Sequence, residues 1–420
     1  VDLHMGCTLW SESGASGSRY TRLDGDVESD VAVVGGGIGG AIAAWEIAER
    51  GFEVVVLERH RVGMGSTRGN TGLLQYANDM PLAEMIRVHG RRRAVDFYRR
   101  CWEGVSRLRN IAKALPEDVE FAERMSLCYA SVPADIPRLK EEARVLIEHG
   151  FAAEIVLGRR EVRDAFGLDR DAVLVTYGDA EVNPLKLTRD LLAELVRRGA
   201  ARVFEDTAVV RMDEGERGVV LETDGGRRVK ARAAIVATGY GFQRATPLAG
   251  VRLGCTYAIA TEPVSDLSHW PEGAVVWETA RPYLYMRTTP DRRLVIGGLD
   301  LPVPDGPRRD RELNIRADKL AELAREVLPG LGTISIAYRW ASTFGSTVDG
   351  WPIVGLYPGF RRVFCSLGYG GNGTVCYAVA ADILARRIAG EDRPEDLMLG
   401  PERLSLWRRA ARRLSVAVRP

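Results

Sequence analysis

The segment Gly35-Gly36-Gly37-Ile38-Gly39-Gly40 carries the spacing Gly-x-Gly-x-x-Gly, and Glu58 follows it at the end of an apolar run. In such a group the first glycine allows a tight turn, the second lets backbone approach a pyrophosphate, and the third lets a helix pack closely on a strand. Unpaired N–H groups at the positive end of that helix then face the phosphates. Gly35, Gly37, Ile38, Gly39 and Gly40 are therefore phosphate-binding candidates. Glu58, with Arg59 beside it, is placed to accept ribose hydroxyls, and an acid there disfavours a 2′-phosphate. FAD or NAD is expected rather than NADP. A second Gly/Ser/Thr loop spans 63–72, and nucleotide-type patterns return at Ala237-Thr238-Gly239 and at 368–373. A binding unit split in this way suits a long cofactor lying across two domains, which favours FAD.

Periodicity shows which elements must position these residues. Val31-Ala32-Val33-Val34 and Val54-Val55-Val56-Leu57 are apolar runs of the kind found in buried parallel strands. Between them 41–50 reads as a helix closed by Gly51, giving a βαβ unit. A helical period runs over 81–115, and helices are expected over 138–149, 160–166 and 184–198. In the last, Leu187, Leu191, Leu192 and Leu195 fall at core spacing. Strands are expected over 203–212, 219–223 and 229–237, and a strand-rich stretch over 250–340 (257–261, 274–277, 283–288, 294–297) with one helix at 316–328. A loop region is expected after Trp340, then a strand at 363–367 and a final helix at 374–389. Residues 1–29 read as an extension that packs on or trails from the main body, and 401–420 as a basic tail.

Composition excludes several function classes. The 420 residues carry 58 Lys+Arg against 57 Asp+Glu, so a net charge of +1 gives no field to draw in nucleic acid. Six scattered cysteines without a C-x-x-C pair point to a reducing, cytoplasmic setting. The five histidines show no metal-binding spacing, so no metal is expected. Residues 363–381 lack charge, but their glycines leave no continuous apolar core for a membrane span. The first thirty residues hold no signal-type apolar segment, and a soluble protein is expected.

Taken together, the motifs resemble the FAD-dependent D-amino-acid-oxidase (DAO) family of amine oxidoreductases, which includes glycine oxidase, sarcosine oxidase and D-amino-acid dehydrogenase. The matching pieces are the 35–40 group with Glu58, the 65–72 loop, Tyr177-Gly178-Asp179-Ala180 before Asn183-Pro184, and Ala237-Thr238-Gly239. Asp349-Gly350-Trp351-Pro352-Ile353-Val354-Gly355 and Gly368-Tyr369-Gly370-Gly371-Asn372-Gly373 complete the series, in the family's order. The resemblance implies an α/β chain with an α+β substrate part: a Rossmann-like FAD-binding domain (30–80, 176–248, 345–400) and a second, sheet-based substrate domain (81–175, 249–344). It implies that Ser66 and Thr67, in a loop with Gly65, Asn70 and Thr71, bond the FAD pyrophosphate. Gly72 and Leu73 would lie under the isoalloxazine ring, Val209 would meet the adenine, and Thr238-Gly239 would close over the nucleotide. The run Gly370, Gly371, Asn372, Gly373 and Thr374 would set a helix N-terminus against the flavin's pyrimidine edge, where reduction places negative charge. No cysteine falls in the context of a covalent flavin tether, so the FAD is expected to be non-covalent.

On the substrate side, Tyr283, Tyr285 and Arg287 alternate along one expected strand and so share a face. In the family the corresponding strand roofs the flavin. The tyrosines would orient an amine, and Arg281 or Arg287 would bind an acid group. Tyr257, Trp340 and Phe344 are further pocket candidates. Glycine oxidase and D-amino-acid oxidase hold the substrate carboxylate with an Arg shortly before the D-x-x-P stretch; here that place is taken by Phe344. The expected reaction is oxidation of a C–N bond by hydride transfer to FAD, giving an imine that hydrolyses, with oxygen or a quinone or other carrier as electron acceptor. The expected substrate is an amine without an α-carboxylate, or an acid held by a relocated Arg. A flavoenzyme acting on a C–O or C–C bond, and a non-catalytic FAD-binding protein, stand as alternatives.

Overall fold

The computed structural model describes residues 3–11, 19–77, 79–240, 250–302 and 306–404. Val31 to Val34 are apolar and buried, so their strand, Val27–Val34, is covered on both faces. It pairs in parallel with Val54–Leu57 on one side (Val31↔Val54 to Val34↔Leu57) and with Arg228–Val236 on the other (Ala233↔Val31 to Val236↔Val34). Ala201–Phe204 and Val363–Leu367 extend this parallel run outward, and Ile353–Leu356 closes one edge antiparallel. Helices Ile38–Ala48, Pro184–Arg197 and Gly373–Ile388 bury their apolar faces in the largest core, which also holds Val31, Val33, Val54 and Val56. The other face, with Ala32, Val34, Val55 and Leu57, packs instead against Val219 and Leu221 of the strand Val219–Thr223, and in such parallel α/β sheets the ligand crevice lies beyond the carboxyl ends of the strands.

A ten-stranded, mostly antiparallel sheet stands against that crevice. Its order is His4–Cys7, Ile336–Thr347, Val251–Thr261, Leu294–Leu301, Tyr285–Thr288, Ala274–Glu278, Ala122–Tyr129, Ala172–Glu181 and Leu73–Leu74, with Ala153–Leu157 also on Ala172–Glu181. Helix Gly306–Val327 packs Leu313, Ala317, Leu320 and Ala324 into a second core behind this sheet, with Tyr257, Ile259 and Met286. Among the described residues no helix is long and apolar enough to cross a membrane.

Several expected elements differ from those observed. The region after Trp340 is not a loop: the strand Ile336–Thr347 runs through it, paired on both edges by His4–Cys7 and Val251–Thr261. Two-sided pairing fixes an extended backbone that Ser342, Thr343 and Phe344 readily adopt. The strand expected over 203–212 is two strands, Ala201–Phe204 and Val209–Glu214. Between them Asp206 and Thr207 donate their N–H groups to the carbonyls of His60 and Glu58, so the chain is turned towards the crevice. The helical stretch 81–115 is broken at Gly90 (φ +82) into Leu82–His89 and Arg91–Ala114. The amino-terminal extension joins the larger sheet, and the expected tail from 405 onward lies outside the described residues.

The tightest approach in the βαβ unit is at Gly40, where a Cβ would stand 1.9 Å from the Gly35 carbonyl oxygen. Backbone, not a pliable side chain, blocks that space. Gly40→Ala is therefore expected to prise the first helix from its strand, costing roughly 1–3 kcal/mol of stability and most of the bound FAD. Thermal unfolding with absorbance of released flavin checks this; a melting temperature and FAD content equal to wild type would contradict the packing role.

Candidate active site

A cavity of about 910 Å³ opens where the parallel strands end, bounded on its far side by the larger sheet. Its volume lies near the top of the ~300–1,000 Å³ usual for ligand sites. At the nucleotide end, Gly35 turns the chain with φ +115, and Gly37, Ile38 and Gly39 line the wall. Glu58 and Arg59 lie there too, with Val209, Thr238 and Gly239. Glu58 Oε2 accepts the Gly36 N–H at 2.7 Å and Oε1 accepts the His60 N–H at 2.9 Å. These bonds fix the carboxylate while leaving each oxygen a second lone pair for a ribose hydroxyl. The loop follows: Gly65, Ser66, Thr67, Asn70, Thr71 and Leu73 all line the cavity. Thr67 Oγ1 accepts the Ile38 N–H at 2.9 Å and so locks the loop onto the first helix.

Deeper in, the wall is formed by Gly370, Gly371, Asn372, Gly373 and Thr374 at the start of the final helix. Asn70 joins this helix to the loop, because its Nδ2 donates to Thr374 Oγ1 at 3.0 Å while its Oδ1 accepts the Gly72 N–H at 2.8 Å. The substrate-side corner beyond holds Tyr283, Tyr285, Phe344, Thr256, Asp79, Arg281 and Asp300. Tyr283 donates its hydroxyl to Asp79 Oδ1 at 2.9 Å, and Asp79 Oδ2 accepts the Gly371 N–H at 3.0 Å. Burial raises the Tyr283 phenol well above its usual range, and it pushes Tyr285 up to about 12, so both stay protonated donors. Burial also pushes the Asp300 carboxyl up to about 6, against a hydrogen bond from Thr256 that pulls it down.

Five candidate residues are placed elsewhere. Arg287 shares a strand face with Tyr285, yet loop 70–73 lies across it and it is 1 % exposed. Its Nε donates to the Thr71 carbonyl at 2.6 Å, Nη2 to Val182 O at 3.2 Å, and Nη1 stands 3.6 Å from Glu181. It braces the loop from behind and cannot meet a substrate. Tyr257 faces the second core, its hydroxyl donating to the Arg309 carbonyl at 3.2 Å. Gly72 (φ +79) and Gly40 serve close packing, against Val182 O and Gly35 O respectively, without lining the cavity. Tyr283 precedes its strand, which begins at Tyr285. Trp340 also stays out of the cavity, donating from Nε1 to the Gly69 carbonyl at 3.0 Å.

Sequence reasoning missed Asp79, Asp300 and the bracing Asp179. The first two stand in no motif. Asp179 lies within Tyr177-Gly178-Asp179-Ala180 and accepts the Tyr76 N–H at 2.9 Å, steadying the segment that carries Gln75 and Ala77 into the cavity wall. Complete burial pushes its carboxyl up to about 7.

The residues present fit a flavin dinucleotide. Among the described residues Ser66 Oγ and Thr238 Oγ1 are buried hydroxyls without a hydrogen-bond partner, and both residues line the wall beside the glycine turn where phosphates would sit. Fold and cavity thus define a dinucleotide-binding oxidoreductase. The chain belongs to the DAO family of FAD dependent oxidoreductases, whose model matches residues 30–387, and its cofactor is accordingly FAD. It is 29% identical over 390 residues to gamma-glutamylputrescine oxidoreductase of Escherichia coli (90% of this chain, 88% of that protein). It is 25% identical over 406 residues to the putative Rieske 2Fe-2S iron-sulfur protein YhfW of Bacillus subtilis (95% and 76%). The crystal structure of glycine oxidase from Geobacillus kaustophilus superposes with a TM-score of 0.73 at 20% identity, covering 89% of this chain and 98% of that one.

Among the described residues, removing Arg287 leaves Glu181 with Arg124 as its one remaining cation and frees the carbonyls of Thr71, Val182 and Thr288. Arg287→Ala is expected to cost roughly 3–5 kcal/mol of stability and to speed FAD loss. Chemical unfolding and flavin release report this, and an unchanged stability with a raised substrate KM would instead put Arg287 in the site. For Asp179, the unfolded carboxyl titrates near ~3.9, well below its folded value. The native state holds a proton that the unfolded chain releases, so stability falls as pH rises from about 4 to about 7 and then levels. Asp179→Asn removes that dependence: its melting temperature should gain on wild type between pH 5 and pH 8. A constant difference across that range would disprove the linkage.

Proposed function

We propose that the chain oxidises the carbon–nitrogen bond of a small amine lacking an α-carboxylate. The observation that carries this reading is the make-up of the substrate-side corner. Two tyrosine hydroxyls, the Asp79 and Asp300 carboxyl groups and the Phe344 ring meet there, and both terminal nitrogens of Arg281 are engaged. Its Nη1 donates to the Ala280 carbonyl at 3.0 Å and Nη2 to the Asp79 carbonyl at 2.7 Å, while the guanidinium stacks on Tyr283. A substrate carboxylate would enter without a partner beside two acids, a burial that costs several kcal/mol. The acid reading with a relocated Arg loses its support, because Arg287 lies behind the loop and Arg281 is spent on backbone.

When bound, FAD would supply the redox chemistry as the acceptor of the hydride that leaves the carbon bearing the amine, and the imine left behind would be hydrolysed. Ser66, Thr67, Glu58 and Thr238 would hold the cofactor's nucleotide half, and the start of the final helix its flavin. Tyr283 and Tyr285 would orient the amine nitrogen, with Phe344 as the apolar wall that excludes water. We also infer that the FAD is held without a covalent bond, since none of the six cysteines lines the cavity. The similarity to gamma-glutamylputrescine oxidoreductase supports an amine as substrate.

Anaerobic mixing of the holoenzyme with a panel of alkylamines, glycine and D-alanine tests the reading. Alkylamines should bleach the flavin with saturation, and the two amino acids should react at least tenfold less efficiently because they bind weakly. Fast, saturable bleaching by glycine would overturn it.

A further inference from the structure

Asp300 is a cavity acid that the fold satisfies only in part, through the hydrogen bond from Thr256. Its Oδ1 is buried and has no hydrogen-bond partner, and among the described residues no ion pair reaches it. Of the two arginines whose charge reaches it, Arg281 donates through both terminal nitrogens to backbone carbonyls, and Arg316 is taken up by Glu312 through Nε at 2.6 Å and by the Leu299 carbonyl through Nη1 at 2.7 Å. Asp79, by contrast, has both oxygens occupied by Tyr283 and Gly371.

The backbone goes out of its way to aim Asp300. Just before it, Leu299 sits at φ +55, a left-handed conformation that costs a non-glycine residue roughly 1–2 kcal/mol. There the pairing of Val251–Thr261 with Leu294–Leu301 slips between Cys255 and Tyr257. Such a bulge turns the following side chain to a different face of the strand, and Asp300 arrives in the cavity beside Thr256 and Tyr285. Strain kept at one residue so that an acid with an unbonded, buried oxygen faces a ligand cavity points to a ligand cation.

That cation is not the reacting nitrogen. A carboxylate favours the protonated form of an amine, and hydride can leave only from the carbon of a neutral amine, whose lone pair forms the imine bond. We infer that Asp300 holds a second, non-reacting ammonium group, so that the substrates are diamines or larger amines with two basic nitrogens. The inference rests on the amine-oxidation reading above and narrows it to a substrate class.

Two measurements on FAD-loaded protein test it. In the first, 1,4-diaminobutane should reduce the flavin with at least tenfold greater efficiency than 1-aminobutane, and Asp300→Asn should bring that ratio to within about twofold. Asp300→Glu, which keeps the charge, should restore part of the preference; equal FAD content in both variants and wild type guards against misfolding. In the second, butyltrimethylammonium, which has no lone pair and cannot be oxidised, should perturb the flavin spectrum of wild type and bind Asp300→Asn at least tenfold more weakly. Equal use of the two amines by wild type, or a preference that survives in Asp300→Asn, would overturn the inference while leaving amine oxidation intact. Asp300-dependent binding of the quaternary cation with no bleaching by any amine would uphold the cation site and overturn the oxidation reading.

Discussion

Loop 65–73 has to satisfy its backbone in an interior where five other parts of the chain converge, and the architecture is arranged around that requirement. Thr67 bonds the first helix, Asn70 bonds the last, and the carbonyls of Gly69, Asn70 and Thr71 accept from Trp340, Trp10 and Arg287. A buried carbonyl without a donor is costly, so each of these side chains is tied to its place by the loop as much as the loop is by them. The amino-terminal extension is part of this arrangement. Its strand closes the edge of the larger sheet, and Trp10, buried to 3 %, reaches the loop from there.

Charge is distributed in two distinct ways around the cavity. Behind the loop, Arg287, Glu181 and Arg124 form a buried chain in which Arg124 donates to Glu181 at 2.8 Å. That chain is closed on itself and serves position. In front, Asp79 and Asp300 face open cavity, with arginines nearby whose donors are engaged elsewhere. The same residue types are therefore used in opposite ways: the paired set braces the loop from behind, and Asp300 keeps a buried oxygen unbonded at the cavity wall.

The fold answers for the cofactor and only a few side chains answer for the substrate. Strand ends, helix starts and glycine turns recur wherever a dinucleotide is bound, since backbone groups do the binding. The substrate-side corner instead depends on Tyr283, Tyr285, Phe344 and Asp300, carried by separate strands that the sheet order brings together. Similar scaffolds can thus serve different substrates by changing those positions.

The sequence by itself determined the nucleotide half. The glycine spacing, Glu58, the 65–72 loop and the two later returns are local patterns whose meaning depends on backbone geometry within a few residues. Most strands and helices were likewise legible from apolar period, as with Val31 to Val34 and Leu187 to Leu195. Tertiary structure alone decided the rest. Arg287 and Tyr285 share a strand face in any reading, yet a loop from far away in the chain covers one and leaves the other open. Ile336–Thr347 became a strand because neighbours from residues 4–7 and 251–261 pair with both its edges. Asp300 gave no signal at all, because what aims it is a one-residue slip in register between two strands, and register is set by packing across the sheet rather than by the residues of the strand that slips.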